Sequence, residues 1–136
     1  MPSTPALPRP EARLCALWLA ALIAGCQPPG QTTPEIALDW SVRPDPPLTG
    51  PATVSLTMAD AKTGRPVEDA EVRLEGNMSH PGMKPVFSAA REVAPGRYEA
   101  PIEFTMGGDW VILVDATLRD GRTLQRRMDV TGVRSR

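Results

Sequence analysis

The chain of 136 residues carries 15 Lys and Arg against 16 Asp and Glu, a net charge of −1, so it lacks the basic field that nucleic-acid binding draws on. A lone histidine cannot supply a zinc cluster. No His-Glu-x-x-His, Gly-x-Ser-x-Gly or phosphate-loop motif is present, which sets the common enzyme chemistries aside.

The first predicted element is a leader. Arg9 and Arg13 precede the apolar run Leu14 to Ala24, and Leu22-Ile23-Ala24-Gly25-Cys26 closes it in the order of a bacterial lipobox. As a helix this run reaches only about 16 Å, against a hydrocarbon core of about 30 Å, so it reads as a cleaved signal and not as a span. The expectation is a signal peptide over 1–25, a lipidated Cys26 and a tether over 26–35, placing the protein on a membrane facing the periplasm or the extracellular side. An ordinary cleaved signal with an incidental cysteine is the alternative. Cys15 leaves with the leader and Cys26 carries lipid, so no internal disulfide is expected. The tether holds Pro28, Pro29 and Pro34 and has no apolar period, as an extended linker does.

Residues 36–136 read as one domain whose apolar residues recur every second position. Ile36, Leu38, Trp40 and Val42 alternate first, then Val54, Leu56 and Met58, then Ala70, Val72 and Leu74. A short strand near Val86 to Ala90 follows, then Tyr98, Ala100, Ile102, Phe104 and Met106, the run Trp110 to Val114, and finally Leu124, Met128 and Val130. Turn signals separate them at Lys62 to Pro66, Ala94 to Arg97, Gly107 to Asp109 and Arg119 to Arg122. The spacing predicts an all-β, immunoglobulin-like β-sandwich of about seven strands. Arg119, Arg122, Arg126, Arg127, Arg134 and Arg136 predict a solvated, charge-guarded edge at the C-terminal end.

Counting antiparallel strands places the chemistry-bearing residues. The strand through Ala70 to Leu74 ends at the pole of the Asn77 to Lys84 loop, and the Ala94 to Arg97 loop falls at the opposite pole. Met106, Gly107, Gly108 and Trp110 then return to the first. Met78, His80 and Met83 lie within six residues, and Pro81-Gly82 fits a type II turn. Met78 and Met106 are expected to end the inward faces of their strands. Thioether sulfur with one imidazole suits Cu(I), so Met78, His80, Met83 and Met106 form a candidate site, with Trp110 as a cation-π cover. Protonation would remove His80 as a ligand, so acid would weaken such a site. The plainer reading makes Met78 and Met106 core plugs, Met83 a loop cover, His80 a solvated side chain, and Trp40, Tyr98 and Trp110 core aromatics.

Four segments, Gly64 to Val72, Met78 to Met83, Pro95 to Ala100 and Phe104 to Trp110, give the chain a resemblance to the YtkA-like domain family, which is related to FixH-like envelope proteins. The resemblance implies a small β-sandwich, secreted or lipid-anchored, with a methionine-rich loop linked to copper handling and respiratory-oxidase assembly. It implies Met78, His80, Met83 and Met106 as ligands of Cu(I) and a carrier or assembly role without catalysis. The alternative is a metal-free interaction module that contacts an envelope protein.

Overall fold

The computed structural model describes residues 35–136. The expected leader, the lipidated Cys26 and nearly all of the tether lie outside these residues. The chain forms β1 (Ile36–Arg43), β2 (Gly50–Asp60), β3 (Glu71–Met78), β4 (Val86–Ala89), β5 (Arg91–Ala94), β6 (Arg97–Phe104), β7 (Gly108–Thr117) and β8 (Thr123–Val133). Two antiparallel sheets result, in the orders β1-β2-β6-β5 and β4-β3-β7-β8. Among the described residues no helix is long and apolar enough to cross a membrane.

The period-two pattern explains the sandwich, because successive side chains of a strand face opposite sides of its sheet. Val54, Leu56 and Met58 of β2 and Tyr98, Ala100, Ile102 and Phe104 of β6 are buried on one inner face. Val72 and Leu74 of β3, Trp110 to Ala116 at alternate positions of β7, and Leu124, Met128 and Val130 of β8 are buried on the other. No polar or charged residue is buried among the described residues, so apolar contact between the inner faces holds the domain.

Three features differ from the sequence reading. The segment expected as one strand near Val86 to Ala90 is two strands, which brings the number to eight. Ala90 still donates its N–H to Val72 O in the β3 sheet, while Arg91 already pairs with Glu99 of β6 in the other, so the chain changes sheets within one residue. Trp40, expected to face inward, is 40% exposed on the edge strand β1, while Leu38 and Val42 at the flanking alternate positions still pack on the core. Met106 does not end an inward face: β6 stops at Phe104, and Met106 lies in the crossing to β7 with 47% of its surface exposed.

Candidate metal centre

The pole expected from strand counting is present. β3 runs up to Met78 and β7 starts beside it, with Met78 opposite Trp110 in the ladder. The chain then leaves β3, and Ser79 fixes that departure: its N–H and its hydroxyl both donate to Asp109 O, at 3.2 and 3.3 Å. His80 follows as an exposed residue and Met83 as a half-buried one, in the turn between β3 and β4. On the other side Trp110 donates its indole N–H to Met106 O at 3.0 Å, which holds the β6–β7 crossing over the same pole.

Met78 is therefore paired with Trp110 in the ladder, and the Met106 carbonyl is held by the Trp110 indole. Met78 packs on the core while its methyl end reaches Gly108, where an added Cβ would stand 2.9 Å from Cε. Gly108 also has φ of +126°, so this position suits a residue without a side chain on both counts. Trp110 itself is 1% exposed and meets Phe104 edge to face at 5.3 Å. Its ring faces the core, and at the pole its contribution is the hydrogen bond that positions Met106. Among the described residues no hydrogen bond ties His80 or Met83 to Met106.

Asp109 is the functional candidate that sequence reasoning missed. Its carbonyl receives both Ser79 bonds, and its carboxylate accepts the Gly132 N–H at 2.8 Å, so β8, β7 and the His80 loop are joined through one residue. The Gly107-Gly108-Asp109 turn signal was visible, but nothing in it shows which loop the aspartate serves. Among the described residues no three His, Cys, Asp or Glu side chains converge, which leaves the three thioethers and one imidazole as the soft donors of the pole.

The opposite pole is built of polar turns. Tyr98, buried on the inner face, donates its hydroxyl to Val67 O at 2.8 Å and accepts the Ala70 N–H at 3.0 Å. Burial raises the Tyr98 pKa, since the phenolate would lose its hydration. Asp60 accepts the N–H groups of Thr63 and Lys62 at 2.8 and 2.9 Å, and these bonds lower its pKa. Asp120 is lowered in the same way by the Arg122 N–H, with the Arg122 guanidinium at 2.7 Å. Ile36, where β1 begins, pairs with Asp60 at this pole. Met78, Met83 and Met106 thus belong to the pole opposite the one where β1 begins at Ile36.

Comparison with known proteins gives a family and distant structural likenesses. The YtkA-like family profile matches residues 35–115. Curated proteins provide no match. Among solved structures, the soluble domain of PmoD from a Methylocystis species is 15% identical, with a TM-score of 0.47 over 69% of this chain and 89% of that one. A DUF4785 family protein from Legionella pneumophila is also 15% identical, with a TM-score of 0.48 over 74% of this chain and 29% of that one. Murine CRIg is 12% identical, with a TM-score of 0.41 over 74% of this chain and 98% of that one.

Proposed function

The chain belongs to the YtkA-like family, and from that premise we propose that it is a lipid-anchored cell-envelope protein that binds Cu(I) as a carrier or respiratory-oxidase assembly factor, without catalysis. Met78, His80, Met83 and Met106 are its proposed ligands and Cys26 its proposed lipidation site. One observation supports the metal reading: two distant segments reach the same pole, Met78 opposite Trp110 in the ladder and the Met106 carbonyl bonded to the Trp110 indole, with the turn of His80 and Met83 following Met78 in the chain. Three thioethers and an imidazole favour a soft monovalent ion over zinc, magnesium or calcium.

Titration of the full chain with Cu(I) against a chromophoric chelator tests this. Stoichiometric uptake that is lost in Met83→Leu and Met106→Leu is the expected result. Uptake no greater than that of a variant with all four ligands replaced would overturn it. A second reading, a metal-free module that contacts an envelope protein such as an oxidase-assembly complex, is favoured by the open edge of β4.

A further inference from the structure

Six methionines occur in the sequence, and the five among the described residues divide by their exposure. Met58 of β2 and Met128 of β8 are buried in the core. Met78, Met83 and Met106, at the pole where β7 begins, are not. Met106 is 47% exposed, Met83 is half-buried in the β3–β4 turn, and Met78 is half-buried with its methyl end against Gly108. The most exposed thioether is also the one whose side chain the fold uses least. β6 has ended before Met106, and Trp110 holds its carbonyl and not its sulfur.

We propose that Met106 and Met83 form a redox-modification site, oxidised to methionine sulfoxide by a hypohalous acid as an off-switch for metal binding. An aqueous oxidant must reach the sulfur, so attack follows exposure, and sulfoxide reductases reverse it. In the step the sulfur loses two electrons and the chlorine of hypochlorous acid is reduced to chloride. The O–Cl bond breaks, one S=O bond forms and one proton is released. The product is polar and presents a hard oxygen, which suits Cu(I) poorly. Of the four proposed ligands only Met78 and His80 then remain.

The same division of methionines protects the domain. A sulfoxide in the core would set a polar group among apolar side chains and disrupt packing. Met58 and Met128 are closed to an aqueous oxidant while the domain stays folded. At Met106 water can solvate the added oxygen, and the bonds from Ser79 and from the Trp110 indole, made to backbone carbonyls, persist. Thioether oxidation is thereby directed to the pole, where a reductase can reach the product. The order of oxidation rests on exposure alone, and its effect on metal rests on the proposed Cu(I) site.

The test uses the full chain, with Cys15 and Cys26 first capped by alkylation because thiols compete for the oxidant. Hypochlorous acid is added in limiting amount, and peptide mass spectrometry follows each methionine. Conversion of Met106 and Met83 should exceed that of Met58 and Met128 by about tenfold. Tm should stay within about 1 °C of the untreated chain. Cu(I) uptake against a chromophoric chelator should fall in step with oxidation of Met106 and Met83, and return after treatment with the two epimer-specific methionine sulfoxide reductases. Comparable conversion at Met58 or Met128, uptake that survives oxidation of Met106 and Met83, or uptake that stays lost after both are reduced would each overturn the switch. An untreated chain that takes up no Cu(I) is a separate outcome, which overturns the carrier reading and the switch with it.

Discussion

Replacing Tyr98 by phenylalanine tests how the lower pole is held, because it removes one oxygen and leaves the buried ring in place. Tyr98 is 1% exposed, and its hydroxyl satisfies both the Val67 carbonyl and the Ala70 N–H, the two ends of the turn that feeds β3. Loss of one partner from a buried hydrogen bond costs about 1–3 kcal/mol, and two groups are orphaned here in a half-buried setting. We expect a loss of about 2 kcal/mol, which for a domain of this size lowers Tm by about 10 °C. Urea unfolding of the full chain should show a lower midpoint with unchanged slope. The alkaline limb gives an independent readout. Burial raises the folded-state pKa of Tyr98 above the unfolded value near 10, so its contribution is complete below about pH 10 and is lost as pH rises through the folded value. Tyr98 is the sole tyrosine, so phenolate absorbance reports it directly, and the part of the alkaline fall due to it should vanish in the variant. A loss below about 0.5 kcal/mol would refute the clamp and show that water replaces the hydroxyl without penalty.

Gly96→Ala should be more damaging than its turn position implies. The added Cβ would stand 2.7 Å from both Met58 O and Pro66 Cβ at φ of +69°, and a cost of about 3 kcal/mol is expected by calorimetry. Asp60→Asn should reduce acid sensitivity. The lowered folded pKa of Asp60 means that its contribution is present above the unfolded value near 3.9 and is lost as pH falls through the folded one, so the variant's stability should change less with pH below about 4. Gly108→Ala should displace the Met78 methyl group, with Cu(I) uptake reduced in the chelator assay. Met106→Leu should abolish uptake while leaving Tm within about 1 °C, because the Trp110 bond is made to the backbone carbonyl and the side chain is half exposed.

The parts of the fold legible in the sequence are those where burial on one face alone decides the pattern. Val54-Leu56-Met58, Val72-Leu74 and Tyr98-Ala100-Ile102-Phe104 alternate because each strand is flanked by neighbours and covered on one face only, so period two passes directly into the core. Edge positions obey a different rule. Trp40 continues the alternation of Ile36 and Leu38 yet is exposed, since periodicity reports the face of a strand and not how much of each side chain its neighbours cover. The division at Ala90 has no glycine or proline to mark it. Two competing partners decide it: β3 offers Val72 O, and β6 offers the Glu99 register, and no local propensity records that choice. At the candidate centre, strand counting located the pole and the two segments that meet there. It could not locate Asp109 as their link, because that role requires Ser79 and Gly132 to come within hydrogen-bond reach from 30 and 23 residues away.

The linkage through Asp109 also bears on why a metal-binding loop would be placed at this pole. A loop of soft ligands gains affinity when its donors are held near their bound positions before the ion arrives, since ordering costs are then met by folding and not by binding. Ser79 anchors the N-terminal end of the His80 turn to the first residues of β7, and the Trp110 indole anchors Met106 from the adjoining crossing. Both anchors converge on Asp109 and Trp110, neighbours in β7 whose positions are set by burial of the Trp110 ring against Phe104. The proposed ligands His80 and Met106 are thereby tied through their backbones to β7 while their side chains stay exposed. Accessibility suits a carrier, which must release its ion to a partner, better than a storage site that encloses it. If Ser79→Ala weakens Cu(I) uptake while Met106→Leu removes it, the pole works as a preorganised site. Equal uptake by Ser79→Ala and the parent chain would show that the Ser79 hydroxyl adds nothing to the site beyond the backbone bond to Asp109 that the variant keeps.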